Sequence, residues 1–159
     1  MNETIKLEQL KNLLQKENID FTILTDEISL ATAQSGANQY GIALHEAAPT
    51  LILKTKDGYL AAIIAGNTKI SFKKLKHALD VKDISMADPQ TIKEITGATI
   101  GEVCLINLDV PTIVDEAVLK NTYCYGGSGA PKTTLKINTQ DLMRITNAQV
   151  LDFTEPRTF

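Results

Sequence analysis

The sequence predicts an α/β (α+β) fold, a single domain built on a mixed sheet flanked by helices, and three observations point there. Lys56-Asp57-Gly58-Tyr59 stands between the apolar runs Thr50-Leu51-Ile52-Leu53 and Leu60-Ala61-Ala62-Ile63-Ile64, the short-range pattern of a β-hairpin. Helical and strand-like segments follow one another without the strict alternation that a doubly wound parallel sheet requires. Hydrophobic residues make up 43% and charged residues 22% of the 159, the balance of an ordinary globular chain at a length that fits one domain, residues 1–159.

Each element has its own local reason. Ile5, Leu7, Leu10, Leu13 and Leu14 recur at helical spacing, and Lys16-Glu17-Asn18 closes that helix before a short strand at 21–24. Residues 29–41 read as a helix between a Ser29 cap and the stop signal Gly41, ahead of the hairpin. Another helix runs from a Ser71 cap to about Leu79, with Phe72, Leu75 and Leu79 on one face. After a strand at 83–86, Asp88 caps a helix whose first position is Pro89 and which ends at Thr96-Gly97. Strands are expected at 110–114, 123–125 and 134–137, then a helix from Asn138-Thr139 and a strand near 150–153.

Composition excludes several function classes. Sixteen basic against nineteen acidic residues leave a net charge of −3, so the chain as a whole lacks the polycationic signature of a nucleic-acid binder, and any RNA contact must be local. Four Phe, four Tyr and no Trp leave little for a base-stacking platform. The basic stretch is 69–82, where Lys69, Lys73, Lys74, Lys76 and Lys82 against Asp80 leave a local charge of +4; Lys73, Lys74 and Lys76 can point outward to phosphates or simply face solvent. Cys104 and Cys124 have neither metal-site spacing nor a disulfide-rich context, the amino-terminal residues contain no signal-type apolar core, and no apolar run approaches 18 residues. A reducing cytoplasmic location follows as the expectation, with no membrane and no DNA as partners.

Among residues that could carry chemistry, 126–133 (Gly-Gly-Ser-Gly-Ala-Pro-Lys-Thr) invites comparison with a phosphate-binding loop. Pro131 stands where the second glycine belongs and offers no N–H, and the residues after it alternate as a strand. What remains is either a turn needing positive φ or a concave nest of N–H groups suited to a carbonyl, carboxylate or phosphate. His45 and His77, the only histidines, belong to no recognised triad motif; His77 is expected in solvent and His45 in a cap or surface role. Asp115-Glu116 reads as acidic residues opening a helix. Cys104 has no partner base in the sequence and reads as a buried, inert thiol.

Taken in order, Thr50-Leu51-Ile52-Leu53, Ala65-Gly66, the 72–79 segment Phe-Lys-Lys-Leu-Lys-His-Ala-Leu, Ala87-Asp88-Pro89, Thr96-Gly97, Gly101, Pro111 to Asp115, Gly126-Gly127, Asp141-Leu142 and Ala148 to Asp152 resemble the YbaK-like family of aminoacyl-tRNA editing domains, relatives of the prolyl-tRNA synthetase editing insertion. The resemblance covers 29–153. It implies a mostly antiparallel mixed sheet curled towards a barrel, and a pocket for the aminoacyl-adenosine end of a mischarged tRNA carrying a small amino acid. The implied activity is ester hydrolysis without metal or cofactor, with mischarged tRNA as partner and a synthetase as a second one. The implied pocket residues are Pro49, Thr50, Gly101, Gly126, Gly127 and Ser128, with Thr50 and Gly101 as catalytic candidates and Lys73, Lys74 and Lys76 as tRNA contacts.

Two departures stand out. The family's lysine before Thr-Leu is Pro49 here, and Lys54, five positions on, projects from the opposite strand face. The family's Ser-Pro after Gly101 is Cys104-Leu105. A pocket that binds without hydrolysing is therefore the rival reading.

Overall fold

The structure, a computed structural model, describes residues 3–25, 37–38, 41–99 and 102–157. The helix expected at 29–41 falls almost wholly outside the described residues, as does Gly101.

Four helices are described: α1 (Glu3–Lys16), α2 (Phe72–Leu79), α3 (Pro89–Thr96) and α4 (Thr139–Thr146). Ten strands accompany them: β1 (Phe21–Thr25), β2 (Thr50–Thr55), β3 (Gly58–Ile63), β4 (Thr68–Ile70), β5 (Ile84–Met86), β6 (Thr112–Asp115), β7 (Tyr123–Gly127), β8 (Thr133–Asn138), β9 (Gln149–Leu151) and β10 (Thr154–Pro156). They form a five-stranded mixed sheet in the order β5-β2-β3-β6-β9, an antiparallel three-stranded sheet β1-β8-β7, and the pair β10-β4. Among the strands of the described residues only the β3/β6 and β6/β9 ladders are parallel, so the sheet is mixed and mostly antiparallel, as expected.

Helix boundaries follow from side chains that satisfy orphan N–H groups. Ser71 Oγ accepts from Lys74 N at the start of α2, and Asn138 Oδ1 accepts from Gln140 N and Asp141 N at the start of α4. Asp88 accepts from Thr91 N at 2.8 Å, and its hydrogen bonds to Thr91 hold its carboxyl below the usual carboxylate value. Pro89 follows where no N–H is needed, and Gly97 ends α3 at φ +75°.

The hairpin forms one residue earlier than the Asp-Gly pair indicates. Thr55 pairs with Gly58, so Lys56 and Asp57 make the turn and Gly58, at φ +139°, opens β3. The Thr55 hydroxyl favours this register, accepting from Asp57 N and donating to Gly58 O, both at 3.2 Å.

Alternation along β2 sends its neighbours to opposite faces of the large sheet. Leu53 packs with Leu75 of α2, Ala62, Ile113 and Phe153, while Ile52 packs with Ile92 of α3, Ala61, Ala98 and Val103. A further core lies inside the three-stranded sheet, where Cys124, Leu135 and Ile137 meet Leu10 and Leu14 of α1 and Leu142 of α4. Burial pushes the Cys124 thiol above its ordinary value. Cys104, expected to be the buried one, is only half-buried, because it stands on a connecting segment at the rim of a cleft.

Candidate functional site

Three segments far apart in sequence converge at the edge of β7. Ala48 N donates to Tyr125 O at 2.8 Å, and Leu105 N donates to Gly127 O at 2.9 Å. The outer edge of the three-stranded sheet is thereby joined both to the residues entering β2 and to the segment after α3. The implied pocket residues 49–50 and 126–127 and the wall at 103–105 are brought together this way.

The glycines are required by this junction. A Cβ on Gly127 would overlap the Val103 carbonyl oxygen, and one on Gly126 would lie 2.5 Å from Leu105 Cγ and 2.8 Å from Ala48 O. Both glycines belong to β7, with Gly126 opposite Leu135 and Gly127 opposite Thr134. The turn begins after them, and there Gly129 adopts φ +88° and Lys132 φ +57°. Ser128 is buried; its hydroxyl contacts the Thr133 hydroxyl, accepts from Ala130 N at 3.2 Å and lies 3.4 Å from Ala130 O, so it organises the turn.

Pro49 closes the β2/β3 ladder. Its carbonyl accepts from Ile64 N at 3.2 Å, and extending the register one step past Thr50 and Ile63 places it opposite Ile64, where it has no N–H to return. Thr50 follows, 8% exposed, and its Oγ1 is the one buried side-chain polar atom without a hydrogen-bond partner among the described residues. Buried hydroxyls are almost always paired, so this atom stands out chemically.

Beside the junction, a cleft of about 670 Å³ runs between α1, the end of α3, residues 106–110 and the turn, with Cys104, Ser128 and Gly129 on its wall. A second cleft of about 480 Å³ has His45, Asp115, Asn121 and Asp152 on its wall. Its side chains are largely committed to the fold. Asn121 Nδ2 donates to His45 O at 2.6 Å while Asn121 Oδ1 lies 2.7 Å from His45 Nδ1, which makes Nδ1 the protonated ring nitrogen. Asp115 caps the 3-10 turn Glu116–Lys120 through Ala117 N, as its position suggests, and also accepts from Phe153 N and Thr154 N. Sequence reasoning misses those last two bonds and the Asn121 partnership, whose members are 38 to 76 residues apart.

The three lysines of α2 divide. All three are exposed, but Lys74 Nζ also donates to Asp152 Oδ1 at 3.1 Å and to Thr154 O at 2.9 Å, tying α2 to the segment entering β10. Among the described residues no three His, Cys, Asp or Glu side chains are grouped as metal ligands, and no helix is long and apolar enough to cross a membrane.

The chain is similar to several known proteins. A proline–tRNA ligase of Thermosipho melanesiensis is 28% identical over 110 residues, covering 69% of this chain and 20% of the ligase. The corresponding ligase of Caldicellulosiruptor bescii is 31% identical over 110 residues, covering 68% of this chain and 18% of the ligase. The chain thus spans about a fifth of the length of these curated relatives. A crystal structure described as a candidate trans-editing enzyme for prolyl tRNA synthetase superposes with a TM-score of 0.84 at 20% identity, covering 94% of this chain and 97% of that one. The hypothetical protein APE2540 superposes with a TM-score of 0.85 at 24% identity, covering 92% and 99%. Both share the fold. Residues 28–145 match the aminoacyl-tRNA editing domain family, and the chain belongs to that family.

Proposed function

We propose that this chain is a trans-acting deacylase that hydrolyses the ester of a mischarged tRNA carrying a small amino acid, with prolyl-tRNA as the natural tRNA context and residues 1–159 acting as one editing domain. The observation that carries this reading is the buried Thr50 hydroxyl, unpaired among the described residues and two residues along the chain from Ala48, which hydrogen-bonds the β7 edge, in a chain of the editing family. A desolvated hydroxyl can both donate and accept, and it gains most from a polar group of the substrate that arrives already stripped of water. Water adds to the ester carbonyl, the C–O bond to the terminal ribose breaks, and free amino acid and deacylated tRNA leave. Thr50 holds the aminoacyl-ribose end during this addition, and the rigid strand junction fixes the approach geometry. Gly126 and Gly127 line the junction because any side chain would close it. Gly101, a further pocket residue implied by the family resemblance, lies outside the described residues.

Release of amino acid from a panel of mischarged tRNAs, including Ala-tRNA and Cys-tRNA for proline, tests this directly. Turnover above buffer on at least one small-residue substrate, unaffected by EDTA, is expected. Pro49 in place of the family's lysine favours a second reading, a binding module that retains the pocket without hydrolysis. Tight binding of a non-hydrolysable aminoacyl-adenosine analogue with no turnover across the panel would select it.

A further inference from the structure

The three-stranded sheet has a face that the core does not use. Cys124, Leu135 and Ile137 of β7 and β8 point inward, so the alternate residues Tyr123, Tyr125 and Lys136 share the other side. Tyr125 is directly opposite Lys136, whose other neighbour is Thr22 of β1. The Lys136 ammonium lies 4.7 Å from the Tyr123 ring centre and 5.7 Å from that of Tyr125. It makes no ion pair with any carboxylate among the described residues. Tyr123 is 44% exposed, which is high for a side chain of its size and apolar area.

We propose that this face binds single-stranded RNA, the unpaired acceptor end of a tRNA, with bases stacked on Tyr123 and Tyr125 and a phosphate held by Lys136. Ring faces on a sheet accept any base by stacking, and a lysine between them supplies the cation that the intervening phosphate needs. Because π-faces and not a carboxylate surround the ammonium, its charge is oriented but not neutralised, and it remains available to an anion. The strand supplies continuity with the candidate site. Tyr125 lies two residues, roughly 7 Å along β7, from Gly127, so the stacking surface and the candidate site share one strand. Four tyrosines in the whole chain are few, but two of them stand on one face. The placement of the acceptor end rests on the deacylase reading; the stacking surface itself does not.

Fluorescence anisotropy with a labelled four-nucleotide single-stranded RNA and with a blunt RNA duplex tests the surface. Wild type is expected to prefer the single strand. Tyr123→Ala with Tyr125→Ala should weaken binding at least tenfold, Tyr123→Phe with Tyr125→Phe should retain it, and Lys136→Ala should lower the salt slope by about one. Unchanged thermal unfolding controls for folding, since all three side chains point away from the core. Equal affinity in the double Ala variant, a matching loss in the double Phe variant, or preference for duplex would overturn the proposal. Amino-acid release separates the two readings. A wild type that deacylates, with unchanged KM in the double Ala variant, removes the surface alone; a wild type that binds the single strand through its tyrosines but deacylates nothing removes the deacylase reading alone.

Discussion

Thr50 and Asp115 occupy equivalent places in the large sheet, one opening β2 and the other ending β6, and both are buried. Their surroundings treat them oppositely. Both Asp115 carboxylate oxygens are used, Oδ1 by Phe153 N and Thr154 N and Oδ2 by Ala117 N, whereas the Thr50 hydroxyl has no partner among the described residues. An unpaired buried hydroxyl costs about 1–3 kcal/mol. Polar groups that the chain itself satisfies stitch distant segments together, here β6 to the approach of β10. One that the chain desolvates and leaves unpaired contributes nothing to the fold and gains only when another molecule supplies the partner. The same contrast separates two regions: His45 and Asn121 satisfy one another through hydrogen bonds, and the junction at β7 is held by backbone bonds while the Thr50 hydroxyl near it has no partner among the described residues.

Substitution at the satisfied position should have the largest effect. Asp115→Ala strands three backbone N–H groups, two of them in a fully buried setting, and is expected to cost about 4 kcal/mol in urea unfolding. A loss below about 1 kcal/mol would show that water replaces the carboxylate and that the contrast with Thr50 is smaller than drawn. Gly127→Ala comes next. Its methyl meets the Val103 carbonyl, a backbone atom that cannot swing away, so about 3 kcal/mol is expected together with loss of any turnover. Gly129→Ala, whose Cβ would meet only Cys104 Cβ at 3.5 Å, should cost about 1 kcal/mol, from φ +88° alone.

Pro49→Lys should move stability little. Released backbone freedom costs up to about 1 kcal/mol, and a new N–H facing Ile64 O returns a hydrogen bond of similar size. Its expected signature is functional, a gain in turnover or in affinity for an aminoacyl-adenosine analogue. A well-folded variant with neither gain would mean that the pocket has diverged beyond this residue. The smallest stability effects belong to α2. Lys73→Ala with Lys76→Ala should leave unfolding unchanged and lower the salt slope of tRNA binding by about two. Lys74→Ala should instead cost about 0.5 kcal/mol by freeing Asp152, with little change in that slope. Identical slopes for all of these variants would return the whole helix face to plain solvation.

What could be read from the sequence is what is decided locally. Ser71, Asp88 with Pro89, and Asn138 cap their own helices, so each start was visible within four residues. The hairpin is legible too, though its two-residue turn is Lys56-Asp57 and not the Asp-Gly pair, because the Thr55 hydroxyl bonds Asp57 N and Gly58 O. The strand expected at 110–114 begins at Thr112, and β7 extends through Gly126 and Gly127, which read as loop but pair with β8 because the segment at 103–105 needs the space. β4 and β10 were not legible: three residues each, they exist only through each other, Thr68 opposite Pro156. The candidate site shows the same division. Residue identities at 49–50 and 126–127 pointed to a pocket through family resemblance, while the unpaired state of Thr50, the commitment of Lys74 and the grouping of Tyr123, Tyr125 and Lys136 depend on contacts that no sequence window contains.

Thr50→Val, measured for stability and for kcat/KM on the same mischarged tRNA, separates a substrate-binding hydroxyl from a structural one. The substitution keeps the shape and removes the hydroxyl. Because that hydroxyl is buried and unpaired, stability should stay level or rise by up to about 1 kcal/mol. A lost substrate hydrogen bond of about 2 kcal/mol should lower kcat/KM roughly 30-fold. A variant destabilised by about 2 kcal/mol or more with kcat/KM unchanged would contradict the account and place the Thr50 hydroxyl in the scaffold alongside Asp115.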